Sequence, residues 1–174
     1  MRVGLMSDSH DRVPAIREIL RRMRAAGAEM VLHCGDYCAP FSLLPFEEMS
    51  FPMLGVFGRN DGDHEGLQTI AGRGMGVELY QSPHSLELGG KRIMLVHDLA
   101  DVAARSVESH EVVVHGFTHR EEMKERGETL IVNPGEACGW INGTPSYAVL
   151  DLDAKRVEFF KLSEPEWTVE PLRK

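Results

Sequence analysis

The first third of the chain alternates apolar segments with amphipathic ones. An apolar run at residues 2–7 predicts a strand, and residues 14–26 carry apolar side chains at helical spacing, with Pro14 in the first turn and Gly27 where a helix would end. The same alternation predicts strands at 29–33 and 52–57 and helices at 42–49 and 64–71. Because strands and helices take turns, this part of the chain is typical of a parallel sheet covered by helices.

The rest of the chain is dominated by strands. Gly89-Gly90 separates two short segments and predicts a hairpin with strands at 85–88 and 91–96. Further strands are predicted at 111–115, 130–133, 147–151 and 156–161, and one helix at 99–107. Parallel strands first and antiparallel strands later indicate two sheets packed face to face, with helices outside. We expect one domain over residues 1–162, followed by a tail at 163–174.

Composition and charge limit the classes of protein to which the chain can belong. A chain of 174 residues can form one domain with its own core. Its 19 Lys and Arg against 27 Asp and Glu give a net charge of −8, which disfavours general attraction to nucleic acid or to an anionic membrane. The N-terminal apolar run is too short for a secretory signal, and no segment approaches the roughly 18 apolar residues of a membrane span. A cytoplasmic location is therefore expected, with Cys34, Cys38 and Cys138 as reduced thiols.

Polar side chains follow the predicted strands at the point where each strand ends. The runs lie at 7–10, 33–36, 58–61, 97–98 and 115–119. Open α/β sheets bind their ligands at these carboxyl ends. Asp8 and His10 are two residues apart, so an extended chain would point both side chains the same way. A carboxylate and an imidazole together suit Mn, Fe, Zn or Ni better than Ca or Mg, and the recurrence of Asp and His at five strand ends favours a metal site.

The order of these motifs extends over most of the chain. It reads Asp8-Ser9-His10, Gly35-Asp36, the loop 58–61, His97, residues 116–119 and Asn133-Pro134-Gly135. This series resembles that of the small calcineurin-like metallophosphoesterases of the YfcE-type phosphodiesterase family, over residue 1 to about residue 162. The resemblance implies a four-layer αββα sandwich of two mixed β-sheets flanked by helices. It also implies hydrolysis of phosphate esters at a centre of two metals.

The resemblance also implies which residues hold each metal. The first metal would be bound by Asp8, His10, Asp36 and His119. Asp36 would bridge to a second metal, which in the family is also held by an Asn, by the residue corresponding to His97, and by the first His of a Gly-His-x-His motif. His97 is thus implied as a ligand, although it could instead contact the phosphate during catalysis.

Two departures from the family pattern both fall on the second metal site. Arg59 stands where the family has its Asn ligand, and Phe117 stands where it has the first His of Gly-His-x-His. Neither a guanidinium nor a phenyl ring can bind a metal. The prediction is one tightly bound divalent metal, with manganese expected first and nickel, zinc or iron as alternatives, and a second metal that is weak or absent.

Two interpretations of Arg59 stay open. In the first, its guanidinium replaces the second metal, pairs with Asp36 and then with the substrate phosphate, and packs against Phe117. Arg59 and His97 would then be the catalytic residues. In the second, Arg59 is a solvated loop arginine, or the loop is shifted by one residue so that Asn60 binds the second metal.

These residues predict a metal-dependent phosphodiesterase that acts on a small phosphate ester. Neither sequence-specific nucleic acid nor a membrane is expected as a partner, and a homodimer is compatible with this reading. The alternative is a noncatalytic metal- or phosphate-binding scaffold of the same fold. Retention of all four ligands of the first metal favours the enzyme, because a scaffold has no need of them.

Overall fold

The computed structural model describes residues 1–74 and 76–171. In chain order its strands are β1 (Arg2–Met6), β2 (Met30–His33), β3 (Met53–Val56), β4 (Val77–Tyr80), β5 (His84–Leu88), β6 (Lys91–Val96), β7 (Val112–His115), β8 (Glu121–Arg126), β9 (Thr129–Pro134), β10 (Ser146–Asp151) and β11 (Arg156–Lys161). The helices are α1 (Val13–Ala25), α2 (Leu44–Met49), α3 (His64–Ala71) and α4 (Ala104–Val107), with 3-10 turns at Pro40–Leu43 and Leu99–Asp101. No helix among these described residues is both long and apolar enough to cross a bilayer.

Two mixed sheets form the centre of the fold. One has the order β11-β10-β1-β2-β3-β4, in which β1 to β4 run parallel and β10 pairs antiparallel with both β1 and β11. The other has the order β5-β6-β7-β9-β8, in which β6, β7 and β9 run parallel between two antiparallel edge strands. The four-layer sandwich of mixed sheets implied by the resemblance is confirmed.

The alternation of side chains along each strand assigns the layers. Val3 and Leu5 of β1 face Val112 and Val114 of β7 in the apolar layer between the sheets. Met6 of β1 faces the other way and joins the cluster beneath α1, α2 and α3. A smaller cluster packs the outer face of the second sheet against α4. Both sheets are therefore covered on both faces.

Helix α1 forms where the sequence predicts it, because its apolar positions fall on one face. Ile16, Ile19, Leu20 and Met23 are fully or almost fully buried against the first sheet. Pro14 occupies the first turn, where its missing N–H is not needed. Gly27, at φ 81°, ends the helix in a left-handed conformation that glycine adopts without strain.

Three details of the predicted fold are corrected. Strands β4 and β8 were missed, and the final hairpin β10–β11 joins the first sheet rather than extending an antiparallel second one. The helix predicted at 99–107 is instead a 3-10 turn followed by the single turn of α4. β8 carries five charged residues and no buried one, so no apolar pattern marks it; its pairing with β9 holds it in place.

The predicted tail is described as far as residue 171, and residues 172–174 lie outside the described residues. Trp167 packs against the cluster under α1, and its carbonyl accepts a hydrogen bond from Arg12 at 2.8 Å. The Val169 N–H donates to the Gly143 carbonyl at 2.8 Å. These contacts attach the described part of the tail to the domain surface.

Candidate metal centre

The polar segments that follow the strands meet at one edge of the sandwich. Parallel strands of one sheet end on the same side, so the segments after β1, β2 and β3 lie together. Those after β6 and β7 approach from the second sheet. Two contacts join the sheets here: His97 Nδ1 lies 2.7 Å from the Cys34 carbonyl oxygen, and the Phe117 N–H donates to Asp8 Oδ2 at 3.2 Å.

Asp8, His10, Asp36 and His119 direct their side chains into one space. His119 Nε2 lies 3.5 Å from Asp8 Oδ1, and His10 Nε2 lies 3.5 Å from Asp36 Oδ2. The two imidazole rings are stacked with their centroids 5.3 Å apart. Since oxygen and nitrogen ligands sit about 2.0–2.2 Å from a transition metal, the two atoms of each pair are close enough to share an ion. Among the described residues, the groups of three whose ligand atoms all lie within 4.8 Å of one another are Asp8 with Asp36 and His97, and His10 with His119 and Cys138.

Asp36 lies between this group and His97. Its Oδ1 is 3.4 Å from His97 Nε2, and Asp8, Asp36 and His97 offer ligand atoms that all lie within 4.8 Å of one another. His97 Nδ1 must carry the proton in its bond to Cys34, because a carbonyl oxygen can only accept. The lone pair of a neutral His97 is therefore on Nε2, directed towards Asp36.

Three of these ligand atoms are buried and have no hydrogen-bond partner in the described chain: Asp8 Oδ1, His10 Nε2 and His97 Nε2. Buried polar atoms almost always have a partner in folded proteins. A divalent cation between Asp8 and His10 would satisfy the first two atoms and would offset the charges of Asp8 and Asp36. The residues present therefore fit a metal ion, and their oxygen and nitrogen atoms suit Mn, Fe, Zn or Ni.

The backbone at this edge is not extended. Asp8, His10, Asp36 and His119 have φ values of 53°, 38°, 60° and 59°, in the left-handed region. Such conformations cost about 1–3 kcal/mol each and cluster at functional sites. Asp8 and His10 therefore do not lie on an extended segment, and their side chains reach this edge from the turn after β1.

Gly116 allows the segment after β7 to approach β1. A Cβ atom at this position would overlap Ser7 Oγ and would lie 2.8 Å from Asp8 Oδ2. Only glycine leaves room for this approach. The approach places the Phe117 N–H against Asp8 and brings His119 within reach of the same carboxylate.

Asp61 ties the segment after β2 to the segment after β3. Its carboxylate accepts backbone N–H bonds from Asp36 at 3.1 Å, Gly58 at 2.7 Å and Cys38 at 2.8 Å. Both oxygens are used, so Asp61 has a structural role and is not free to bind an ion. It fixes the position of Asp36.

Glu136 is a site residue that sequence reasoning missed. It is almost fully buried, and its Oε2 lies 2.9 Å from His119 Nδ1. The same carboxylate accepts backbone N–H bonds from Ile141 and Asn142. A carboxylate bonded to Nδ1 turns the Nε2 lone pair of a histidine towards a metal. Glu136 lies outside the motifs quoted from the sequence, and only the fold brings it to His119.

The pair of His119 and Glu136 is electrostatically matched. Burial by itself raises the pKa of Glu136, but hydrogen bonds from His119, Ile141 and Asn142 hold it below the usual value. Burial likewise lowers the pKa of His119, but the bond to Glu136 and the charge of Asp8 outweigh it and raise the pKa above the usual value. Protons therefore compete with a cation for His119 as the pH falls.

Arg59 does not pair with Asp36, contrary to the first interpretation of the sequence. Its Nη2 donates to Asp98 at 2.7 Å and to Asp101 at 3.3 Å. The reason is the course of the loop, which turns the Arg59 side chain outward over the segment after β6. The guanidinium carbon does lie 4.4 Å from the centre of the Phe117 ring, so the expected packing of these two side chains is present.

Asn60, the next residue, occupies the place beside Asp36. Its backbone N–H donates to Asp36 Oδ1 at 2.8 Å, and its Nδ2 donates to Asp36 Oδ2 at 2.7 Å. Asn60 therefore contacts Asp36 where Arg59 does not, and it does so as a hydrogen-bond donor. Phe117 lies edge-on to His97, with ring centres 5.7 Å apart, and offers no ligand atom.

A sulfur atom also lies beside the centre. An imidazole nitrogen of His10, one of His119 and the Sγ of Cys138 all lie within 4.8 Å of one another. The Cys138 thiol donates to Glu136 Oε2 at 3.3 Å, and burial raises the pKa of this thiol. Cys38 lies on the other side, 3.3 Å from His10 Nδ1. Only the fold brings these two cysteines to the histidines.

The fold and the site together define a protein of the metallophosphoesterase class, in which carboxylates and imidazoles converge at the strand ends of a two-sheet sandwich. Residues 1–155 match the calcineurin-like phosphoesterase superfamily domain, and the chain belongs to this family. The resemblance inferred from the motifs is confirmed.

Individual relatives agree with this assignment. The chain is 30% identical over 159 residues to the phosphodiesterase MJ0936 of Methanocaldococcus jannaschii, covering 89% of this chain and 95% of the relative. It is 24% identical over 173 residues to the phosphodiesterase YfcE of Escherichia coli K12, covering 90% and 91%. The solved structure of an archaeal phosphodiesterase superposes with a TM-score of 0.85 at 29% identity, covering 93% of this chain and all of the other.

Proposed function

We propose that the chain hydrolyses phosphodiesters with a divalent transition metal, manganese being the first candidate, in a cytoplasmic setting. The observation that carries the proposal is the convergence of Asp8, His10, Asp36 and His119 around ligand atoms that are buried without protein partners. Membership of the calcineurin-like family and the phosphodiesterase names of the relatives support the reaction class.

Each residue of the candidate metal centre has a role that follows from its chemistry. A bound divalent cation supplies Lewis-acid activation of the phosphate and of the attacking water. Asp8 and Asp36 provide the negative charge that attracts the cation, while His10 and His119 offer neutral nitrogen atoms. Glu136 orients His119, and the Cys34 carbonyl orients His97. His97 Nε2 faces Asp36 and is placed to bind a second cation or to contact the phosphate.

The direct test is hydrolysis of bis(p-nitrophenyl) phosphate with Mn, Ni, Zn or no added metal. Turnover that requires added metal and disappears with chelator is the expected result. A folded protein that shows no turnover with any of the metals would favour the noncatalytic scaffold instead.

The second metal site should be weak. Its remaining donors are Asp36, His97 and the amide of Asn60, and the amide directs its N–H₂ towards Asp36. The expected stoichiometry is one tightly bound Mn²⁺ per chain, measured by equilibrium dialysis and elemental analysis. The double variant Arg59→Asn/Phe117→His, which restores the family pattern, is expected to bind two. Two tight ions in the unmodified protein would contradict this assignment.

Arg59 is proposed to bind the substrate phosphate by exchanging its bond to Asp98 for the phosphate oxygens. Arg59→Ala should lower kcat/KM for bis(p-nitrophenyl) phosphate about tenfold, the effect of one charge-assisted hydrogen bond. Its free energy of unfolding should change by less than about 1 kcal/mol, because the Arg59 side chain is half exposed.

The control is Arg92→Ala, which removes another surface ion pair at the opposite end of β6. This variant should leave kcat/KM unchanged. Equal activity of Arg59→Ala and the unmodified protein would make Arg59 a solvated loop residue, as the second interpretation of the sequence has it.

A further inference from the structure

A cavity of about 310 Å³ opens beside His119. His119 forms part of its wall, next to Arg120 and Glu121 at the start of β8. The lining also includes Thr144, from the segment before β10, and Lys161, at the end of β11. The cavity therefore lies between the edge strands of the two sheets and borders the candidate metal centre directly.

The walls of this cavity are fixed by hydrogen bonds. Asn142 also lines the cavity, and its Nδ2 donates to the His119 carbonyl at 2.6 Å and to Glu136 at 2.9 Å. Ser146 donates its hydroxyl to the Pro134 carbonyl at 3.1 Å. The hydrogen bonds that orient His119 thus also shape the cavity. A group bound in the cavity would therefore have a fixed position relative to the candidate metal centre.

The cavity carries positive charge in a chain whose net charge is −8. Lys161 Nζ lies 3.3 Å from Glu121 Oε2, so these two charges offset each other. Arg120 is exposed and has no ion pair or side-chain hydrogen bond with any residue in the described part of the chain. Its guanidinium is the uncompensated charge of the cavity. The Thr144 hydroxyl is likewise without a partner among the described residues and adds a hydrogen-bond donor.

We propose that this cavity is a subsite for a second phosphate group on the substrate, bound by Arg120 with Lys161 and Thr144. The proposal rests on the proposed function, because it names the class of diester that the centre would hydrolyse. A guanidinium matches a phosphate with two parallel hydrogen bonds, and Arg120 follows His119 directly in the chain. The preferred substrates would be diesters in which one alcohol carries a terminal phosphate.

The test compares two p-nitrophenyl diesters that differ by one group. Thymidine 5′-(p-nitrophenyl phosphate) has a free 3′-hydroxyl, and its 3′-phosphorylated form adds the second phosphate. The unmodified protein should show a kcat/KM about tenfold higher for the 3′-phosphorylated diester, mainly through a lower KM, as one charge-assisted contact allows. Arg120→Ala should bring the ratio of the two kcat/KM values close to one.

Arg126→Ala is the matched control, because Arg126 lies at the far end of β8, the strand that begins directly after Arg120, and also has no ion pair in the described chain. It should retain the preference. Equal turnover of the two diesters by the unmodified protein, or a preference that survives Arg120→Ala, would overturn the subsite while leaving the proposed hydrolysis intact.

Failure of the proposed function would look different, since neither diester would be hydrolysed with any metal. The subsite is then tested by binding, measured by calorimetric titration with thymidine 3′,5′-bisphosphate. Binding that weakens about tenfold in Arg120→Ala but not in Arg126→Ala would support it, and equal binding in all three proteins would overturn it.

Discussion

Asp8→Asn is expected to abolish hydrolysis and yet to stabilise the metal-free protein. Asp8 is fully buried, and its Oδ1 has no partner in the described chain. Burial raises the pKa of this carboxyl, although His119 and Ser7 oppose the rise. Asparagine keeps an oxygen for the Phe117 N–H and removes the buried charge. Loss of a metal ligand should lower kcat by about 10³, since metal activation supplies several kcal/mol.

The sign of the stability change follows from proton linkage. A folded-state pKa raised above the unfolded value favours the folded protein below the ordinary carboxyl pKa of 3.8, and this contribution is lost as the pH rises through the folded pKa. At pH 7, above the ordinary carboxyl pKa, the metal-free wild type has therefore lost at least part of this contribution, whereas Asp8→Asn has no carboxyl to titrate. Asp8→Asn should be more stable by about 1–2 kcal/mol in urea denaturation with chelator present.

Asp61→Asn gives the contrasting control. Asp61 is also buried, but its two oxygens accept three backbone N–H bonds. In Asp61→Asn the amide N–H₂ would replace one of these oxygens and would point at backbone N–H groups, which cannot accept a hydrogen bond. This variant should lose stability in the same assay. Added Mn²⁺ should stabilise the wild type and leave Asp8→Asn unchanged. A metal-free Asp8→Asn that is less stable than the wild type, or that remains active, would contradict the assignment of Asp8.

Glu136→Gln should weaken metal binding about 10–100-fold, the usual effect of removing a group that orients a ligand. Glutamine retains one oxygen for the Ile141 and Asn142 N–H groups, but its amide would face the N–H of His119 Nδ1. His119 would then lose the bond that turns its Nε2 lone pair towards Asp8. Metal titration should show the loss, and a large excess of metal should restore most of kcat.

The rescue by excess metal separates a positioning residue from a ligand. Glu122→Gln is the matched control, because Glu122 also contacts a histidine, with its Oε2 3.2 Å from His115 Nε2, but on β8 at the sheet edge. That variant should leave metal affinity unchanged. A Glu136→Gln protein with wild-type metal affinity would show that the hydrogen bond to His119 has no effect on the centre.

The sequence was sufficient wherever one local pattern decides the structure. The burial of α1 follows from helical spacing, and β1 to β3 follow from their apolar runs. β8 forms for a reason outside its own residues, since only pairing with β9 holds it. Its charged composition resembles that of a loop, so the hydrophobic pattern of its own residues could not have predicted a strand.

The candidate site also contains residues that the sequence predicts and residues that it does not. The strand-end Asp and His residues were identified because their spacing and order carry the information. Glu136 lies 17 residues from its partner His119, and Arg59 lies 39 residues from its partner Asp98. Only the fold brings these side chains together. Whether the loop directs Arg59 or Asn60 towards Asp36 depends on how Asp61 anchors it, which spacing alone does not specify.

Asp8, His10, Asp36 and His119 are proposed to surround one metal ion. Crystals of the unmodified protein soaked in Mn²⁺ and measured at the manganese absorption edge test this directly. One strong anomalous peak is expected within about 2.0–2.3 Å of Asp8 Oδ1, His10 Nε2, His119 Nε2 and an Asp36 oxygen. A strong peak elsewhere on the chain, with none between these four side chains, would contradict it.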